Sequence, residues 1–271
     1  MRPDLKNAGF LLLSLLLILP APALAGGKKG LEEGDRLFKE GRYAEAADRY
    51  YAATLADPEA AQEALVKTGR ALDRAVSGLY EEADSKCYLN KKRGEAKPEC
   101  FEAVIRDLNR RYGEGSFSYH GDQVQFTYNA THFGKLLEKF PEGPYRDEAG
   151  FALLRGAELL GDDPDEVCRK VERWIQTYPK SALMPRALLL LGRLRADAFV
   201  TFKRGGIVLI NGRVDPEGTS QERSRQQTKG LAAFKEIIDK YPDSPERGAA
   251  EREHRLLKEG KDDGIFYGIT Y

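Results

Sequence analysis

Gly34-Asp-Arg-Leu-Phe-Lys-Glu-Gly-Arg-Tyr-Ala-Glu-Ala-Ala-Asp-Arg-Tyr-Tyr-Ala-Ala-Thr-Leu-Ala-Asp-Pro58 is the stretch on which the fold of this 271-residue chain turns. Tyr43, Ala46, Tyr50 and Ala53 recur at spacings of three and four, which places them on one face of a helix. Gly34 and Ala46 are small enough to let two helices cross closely, and Leu37, Tyr43 and Tyr50 are large enough to fill the seam between them. Gly41 ends the first helix, because glycine takes the left-handed conformation of a helix stop without steric cost. Pro58 stops the second, having no N–H to donate and a ring that clashes one turn back. One amphipathic helical hairpin is therefore expected here.

A related phrase occurs three more times, as Leu136-Leu137-Glu-Lys-Phe140-Pro141, Trp174-Ile175-Gln-Thr-Tyr178-Pro179 and Ile237-Ile238-Asp-Lys-Tyr241-Pro242. Eight residues before each proline stands an apolar residue, namely Phe133, Val171 or Phe234. Eight residues after it stands an alanine, Ala149, Ala187 or Ala250. Apolar positions at −8, −5, −4 and −1 share a helix face, and the aromatic-proline pair ends that helix. Ser181, and Ser244 before Pro245, are placed to cap the helix that follows. Self-similarity of this kind marks stacked helical hairpins that bury a continuous core only together.

The first residues read as an export signal. Arg2 and Lys6 precede an apolar run from Phe10 to Leu19, Pro20 and Pro22 break it, and Ala23-Leu24-Ala25 offers a small-x-small cleavage site. The run is shorter than the roughly 20 residues that span a bilayer. The expected mature chain starts at Gly26 and is soluble, and no cysteine follows the apolar run to accept a lipid. The 43 basic and 43 acidic residues balance, and no basic block is long enough to hold nucleic acid or anionic lipid by charge.

The hairpin at 34–58 closely resembles a tetratricopeptide repeat, with Gly34, Leu37, Gly41, Tyr43, Ala46, Tyr50, Ala53 and Pro58 at that family's preferred spacings. The aromatic-proline-x-Ser phrase in an exported chain resembles the periplasmic BamD/YbgF (CpoB)-like group, over about residues 31–58 and 131–258. Gly30 and Glu33 depart from the pattern, standing where large apolar residues are usual, as in a capping repeat. The lipidated cysteine of BamD-like members and the N-terminal coiled coil of YbgF-like members are also missing from the sequence. The resemblance implies an all-α fold, a tetratricopeptide-like helical-hairpin solenoid. It implies a non-enzymatic periplasmic scaffold or adaptor that holds a peptide or helix of an envelope protein in its concave groove. Outer-membrane assembly, Tol-Pal-type systems and surface-polymer export are the settings it points to, with a place peripheral to the outer membrane. In this geometry Asp35, Phe38 and Lys39 turn inward as partner-binding residues.

Two segments interrupt the helices. Residues 116–128 alternate apolar and polar around His120-Gly121-Asp122, as a hairpin does. Asn211-Gly212 suits a tight type I′ turn between short apolar runs. The expected organisation is a signal peptide at 1–25, tetratricopeptide-like helices at 26–113, a β-hairpin insertion at 114–130, helices at 131–203, a hairpin or loop at 204–217, helices at 218–260 and a tail at 261–271. Within 59–113, the apolar spacing from Ala60 to Tyr80 predicts one long or two consecutive helices, and that from Phe101 to Tyr112 another, all packed into the solenoid.

Catalytic chemistry finds little footing. Phosphate-loop, dinucleotide and Gly-x-Ser-x-Gly motifs are missing from the sequence, so no cofactor is expected. His120 with Asp122 has no third partner in view and reads as a polar turn, and His254 as a half-buried packing residue; no metal is expected. Cys87 and Cys100 flank a short loop, and in an oxidising compartment they are expected to form a disulfide, with Cys168 a buried thiol. The rival reading is a peptidoglycan- or carbohydrate-binding or processing envelope protein, with Tyr119, Phe126 and Tyr128 as a sugar-stacking platform.

Overall fold

Helical spacing in the sequence becomes a run of antiparallel helices in the computed structural model, which describes residues 27–90, 95–121, 125–159, 164–210 and 213–261. The helices are α1 Gly27–Lys39, α2 Tyr43–Ala56, α3 Ala61–Cys87, α4 Pro98–Tyr112 and α5 Thr131–Lys139, then α6 Arg146–Leu159, α7 Pro164–Thr177, α8 Met184–Lys203, α9 Pro216–Lys240 and α10 Arg247–Lys258. Three separate antiparallel strand pairs join them: β1 Tyr88–Asn90 with β2 Glu95–Ala96, β3 Phe117–His120 with β4 Gln125–Tyr128, and β5 Val208–Ile210 with β6 Arg213–Asp215. The fold is an all-α helical-hairpin solenoid with small β insertions. The expected export signal and the expected tail beyond Lys261 lie outside the described residues, as do Asp122 and the Asn211-Gly212 pair.

The hairpins share one crossing device. A Cβ at Gly34 would stand 2.4 Å from the Tyr50 ring, one at Gly69 2.6 Å from Phe133, and one at Gly192 2.4 Å from Phe234. Each glycine on a first helix thus lets an aromatic ring of the second helix lie on its backbone. The pairs are α1 with α2, α3 with α5 and α8 with α9. The α3–α5 hairpin is the unusual one, because α4 and the β3–β4 pair are inserted between its helices. The 59–113 region is therefore a single long first helix, α3, followed by an inserted helix that packs on α3 and β3. The β1–β2 pair is a further insertion that the alternation of the sequence did not signal.

The three proline phrases build one turn three times over. Phe140, Tyr178 and Tyr241 donate their backbone N–H to the carbonyls of Leu136, Trp174 and Ile237 at 2.8, 2.9 and 2.9 Å. Their own carbonyls accept from Gly143, Ser181 and Ser244 at 3.0, 3.0 and 3.1 Å. Ala149, Ala187 and Ala250 are fully buried where the next helix crosses, and Phe133, Val171 and Phe234 are buried opposite. The capping expectation needs correction. Ser181 Oγ accepts from the N–H of Leu183 at 3.1 Å and donates to Asp147 Oδ2 at 2.5 Å. It closes the turn ahead of α8 and ties it to α6, while the residues at the starts of α8 and α10 make no side-chain cap.

Cys87 at the end of α3 and Cys100 in the first turn of α4 are bonded, with Cα atoms 5.5 Å apart, and Cys168 is buried. Opening this ring, whose cysteines lie 13 residues apart, by Cys100→Ser should cost about 3 kcal/mol in the chain-entropy account. Non-reducing peptide mapping of exported protein should return the 87–100 linked peptide; a linkage through Cys168 would contradict the arrangement.

Candidate partner-binding groove

A hairpin stack leaves one face of each first helix uncovered. Here α1, α3, α6 and the start of α8 turn such faces to a common groove of about 190 Å³. Phe38, Phe133, Phe151 and Leu183 supply its apolar lining. Phe133 arrives from α5, its ring lying over Gly69. Arg70, Arg74 and Arg186 against Asp73 and Glu148 supply its charge, an excess of one positive. Arg70 is held by a two-pronged pair with Glu148 across α3 and α6, and Arg186 reaches Glu246 at 3.6 Å. Arg74 is exposed and makes no ion pair among the described residues. The volume has room for about one or two apolar side chains, well below the few hundred Å³ of a typical cofactor pocket.

The three residues expected to face inward have separate places. Phe38 lines the groove, half-buried, with its ring 5.0 Å from that of Tyr43 in an edge contact. Lys39 is exposed beside it. Asp35 accepts hydrogen bonds from the Tyr50 hydroxyl and the Lys67 ammonium, both at 2.8 Å, which locks α1 to α2 and α3. Burial pushes the Asp35 pKa up, but the Lys67 and Tyr50 bonds more than offset it and hold the carboxyl below the usual range.

Sequence reasoning missed Arg70, Asp73 and Arg74, although a signal was present. Asp35, Phe38 and Lys39 stand one, four and five residues after Gly34; the missed three stand at the same offsets from Gly69. Without an evident proline phrase near Gly69 in the sequence, the register of the second hairpin had no visible anchor.

The ring platform of the carbohydrate reading is turned inward. Tyr119 pairs with Phe126 and Phe117 with Tyr128, so all four rings share one face of the β3–β4 pair. That face packs on α4: Phe101 stacks on Tyr119 at 5.2 Å and meets Phe126 edge-on at 5.9 Å. Phe126 and Tyr128 are buried, leaving Tyr119 alone partly exposed.

His120 sits in β3 opposite Gln125, and no group of three or more potential metal ligands occurs among the described residues. His254 is half-buried on α10, its pKa lowered first by burial. Burial raises the Cys168 thiol to about 11, which removes its nucleophilic form at neutral pH.

His132 is fully buried, its Nδ1 3.0 Å from the Tyr128 hydroxyl and its ring edge-on to Tyr51. Burial, and after it the Lys135 ammonium, push its pKa down to about 4. An unfolded chain binds this proton near pH 6.5, so stability is full above 6.5 and falls as pH drops toward 4. The loss approaches about 3 kcal/mol at 1.36 kcal/mol per unit. Denaturant midpoints across that range should show a steep fall in the wild type and a flatter profile for His132→Gln.

Stacked helical hairpins with small β insertions place the chain in the class of helical-repeat proteins. The chain belongs to the YfiO outer membrane lipoprotein family, which matches residues 107–260, more than half of its length. That match agrees with the BamD-like side of the expected resemblance and gives the chain an outer-membrane, envelope setting. No curated protein matches the chain. No helix among the described residues is long and apolar enough to cross a membrane.

Proposed function

We propose that this protein is a non-enzymatic periplasmic adaptor in envelope biogenesis, exported by a cleaved signal peptide, that holds a segment of another envelope protein in the concave groove. Phe38, Phe133 and Phe151 receive an apolar side chain of that segment, and the Arg74 guanidinium receives a carboxylate beside it. Lys39 extends the positive rim, while Asp35 acts by fixing α1 against α3. The observation that carries this reading is Arg74, a guanidinium without an ion pair among the described residues, beside aromatic rings that already line a cavity. Membership of an outer-membrane family supports the setting.

Arg74→Glu separates binding from folding. Arg74 is exposed, so melting should shift by no more than about 0.5 kcal/mol, while capture of the partner should weaken by roughly tenfold or more. Phe38→Ala should lower both, because the ring is half-buried in the core and half presented to the groove. Pull-down from envelope fractions beside thermal melting reads the two effects. Undiminished capture by Arg74→Glu contradicts the groove as the site.

A further inference from the structure

The β5–β6 pair follows α8 as a ribbon of two strands, joined only to each other among the described residues. Thr219, in the first turn of α9, clamps its base. The Thr219 hydroxyl accepts from the Val208 N–H at 2.9 Å and donates to the Asp215 carbonyl at 2.7 Å. Leu209 pairs with Val214, and Ile207 stands two residues before Leu209, so the pleat puts Ile207 and Val214 on one face. Of the three large apolar residues left exposed among those described, two are these, Ile207 at 50% and Val214 at 55%. A two-stranded ribbon is marginal in water until its apolar face is covered.

The chain comes back to the same place after α10. Lys203, the last residue of α8, donates to the Gly260 carbonyl at 2.6 Å, and a Cβ at Gly260 would stand 3.9 Å from the Phe199 ring one turn back. Gly206, just ahead of β5, donates to the Thr201 carbonyl at 2.9 Å. The closing turn of α8 thus holds both the root of the ribbon and the point from which residues 262–271 set out. Those residues read Asp-Asp-Gly-Ile-Phe-Tyr-Gly-Ile-Thr-Tyr. Asp262 to Gly264 can extend over about 10 Å, roughly twice the rise of one helical turn. From Ile265 to Tyr271 the sequence is β-branched and aromatic, with Ile265, Tyr267, Ile269 and Tyr271 in alternation.

We infer that segment 265–271 docks on the β5–β6 ribbon of its own chain as a third strand, its Ile265-Tyr267-Ile269-Tyr271 face covering Ile207 and Val214. An uncovered ribbon offers unpaired backbone groups on which a strand of any other chain can add. A strand tethered three residues from the anchor at Lys203 outcompetes such strands by effective concentration. The segment is therefore a self-cap on the α8–α10 end of the solenoid, where a terminal unit has no neighbour to cover it. The inference uses neither the concave groove nor its partner.

Amide exchange of the full chain reads the docking. Residues 208–210, 213–215 and 265–271 should be protected together, to the same degree at every protein concentration. Ile269→Asp should speed exchange in all three stretches by about tenfold or more, because the new carboxylate would have to leave water to dock. Val214→Ser, from the ribbon side, should speed it by roughly several-fold, and Thr270→Asp on the opposite face should leave it unchanged. Val214 is exposed and residues 269 and 270 lie beyond α10, so circular dichroism of all three variants should match the wild type. Exchange at 265–271 as fast as in the free peptide of that sequence, or ribbon protection that survives Ile269→Asp, overturns the inference. So does protection that grows on concentrating the chain, which would assign the segment to the ribbon of a second copy.

Discussion

Phe234→Ala should destabilise the protein by about 3–5 kcal/mol, the range for truncating a fully buried aromatic. The ring is 0% exposed and lies on the backbone of Gly192, filling the crossing of α8 and α9. Nothing beside it is free to refill the space: Ile237 and Ala187 are themselves fully buried in the same cluster. Close packing means that the cavity persists and its lining loses contacts outright. Because a solenoid unit touches mainly its neighbours, exchange protection should fall first in α8 to α10. Denaturant unfolding beside amide exchange checks both parts. A cost below about 1 kcal/mol would show that the glycine-aromatic crossing is not what holds this hairpin.

Phe101→Ala is expected to cost a similar amount, about 3–5 kcal/mol, but elsewhere in the chain. Phe101 is 0% exposed and stands between the rings of Tyr80 and Tyr119, with Tyr88 and Phe126 edge-on. Aromatic pairs add about 0.5–1.5 kcal/mol each beyond their buried area, which favours the upper end of the range. Its loss should loosen the disulfide-linked insert, α4 with β3 and β4, and leave exchange in α8 to α10 unchanged. Sites this far apart and without shared partners should be additive within about 0.5 kcal/mol in the double variant. Strong coupling would mean that the two halves of the core unfold as one body.

The hairpin seams were legible because each depends on a short local pattern. An aromatic residue eight positions before proline and an alanine eight after it describe a helix face, a stop and the next crossing in one phrase. The inserted α4 was legible as a helix but not as an insertion, since its place is decided by packing on α3 and on the β3–β4 pair. Alternation at 116–128 showed which rings share a face, though not that the face is turned inward onto Phe101. Ser181 has the chemistry of a cap, yet the Asp147 carboxylate across the turn draws its hydroxyl into a link between α6 and α8. Arg74 looks like any solvated helix charge until Gly69 is recognised as the counterpart of Gly34.

Site-specific photo-crosslinking tests most directly whether a partner lies along the concave groove. A benzophenone amino acid placed at Lys39, exposed beside Phe38, and separately at Lys235 on the exposed side of α9, is illuminated in intact cells. A discrete adduct with an envelope protein is expected from position 39, weakened by Arg74→Glu and missing from position 235. Adducts of equal yield at both positions, or none at 39 while 235 crosslinks, would contradict it.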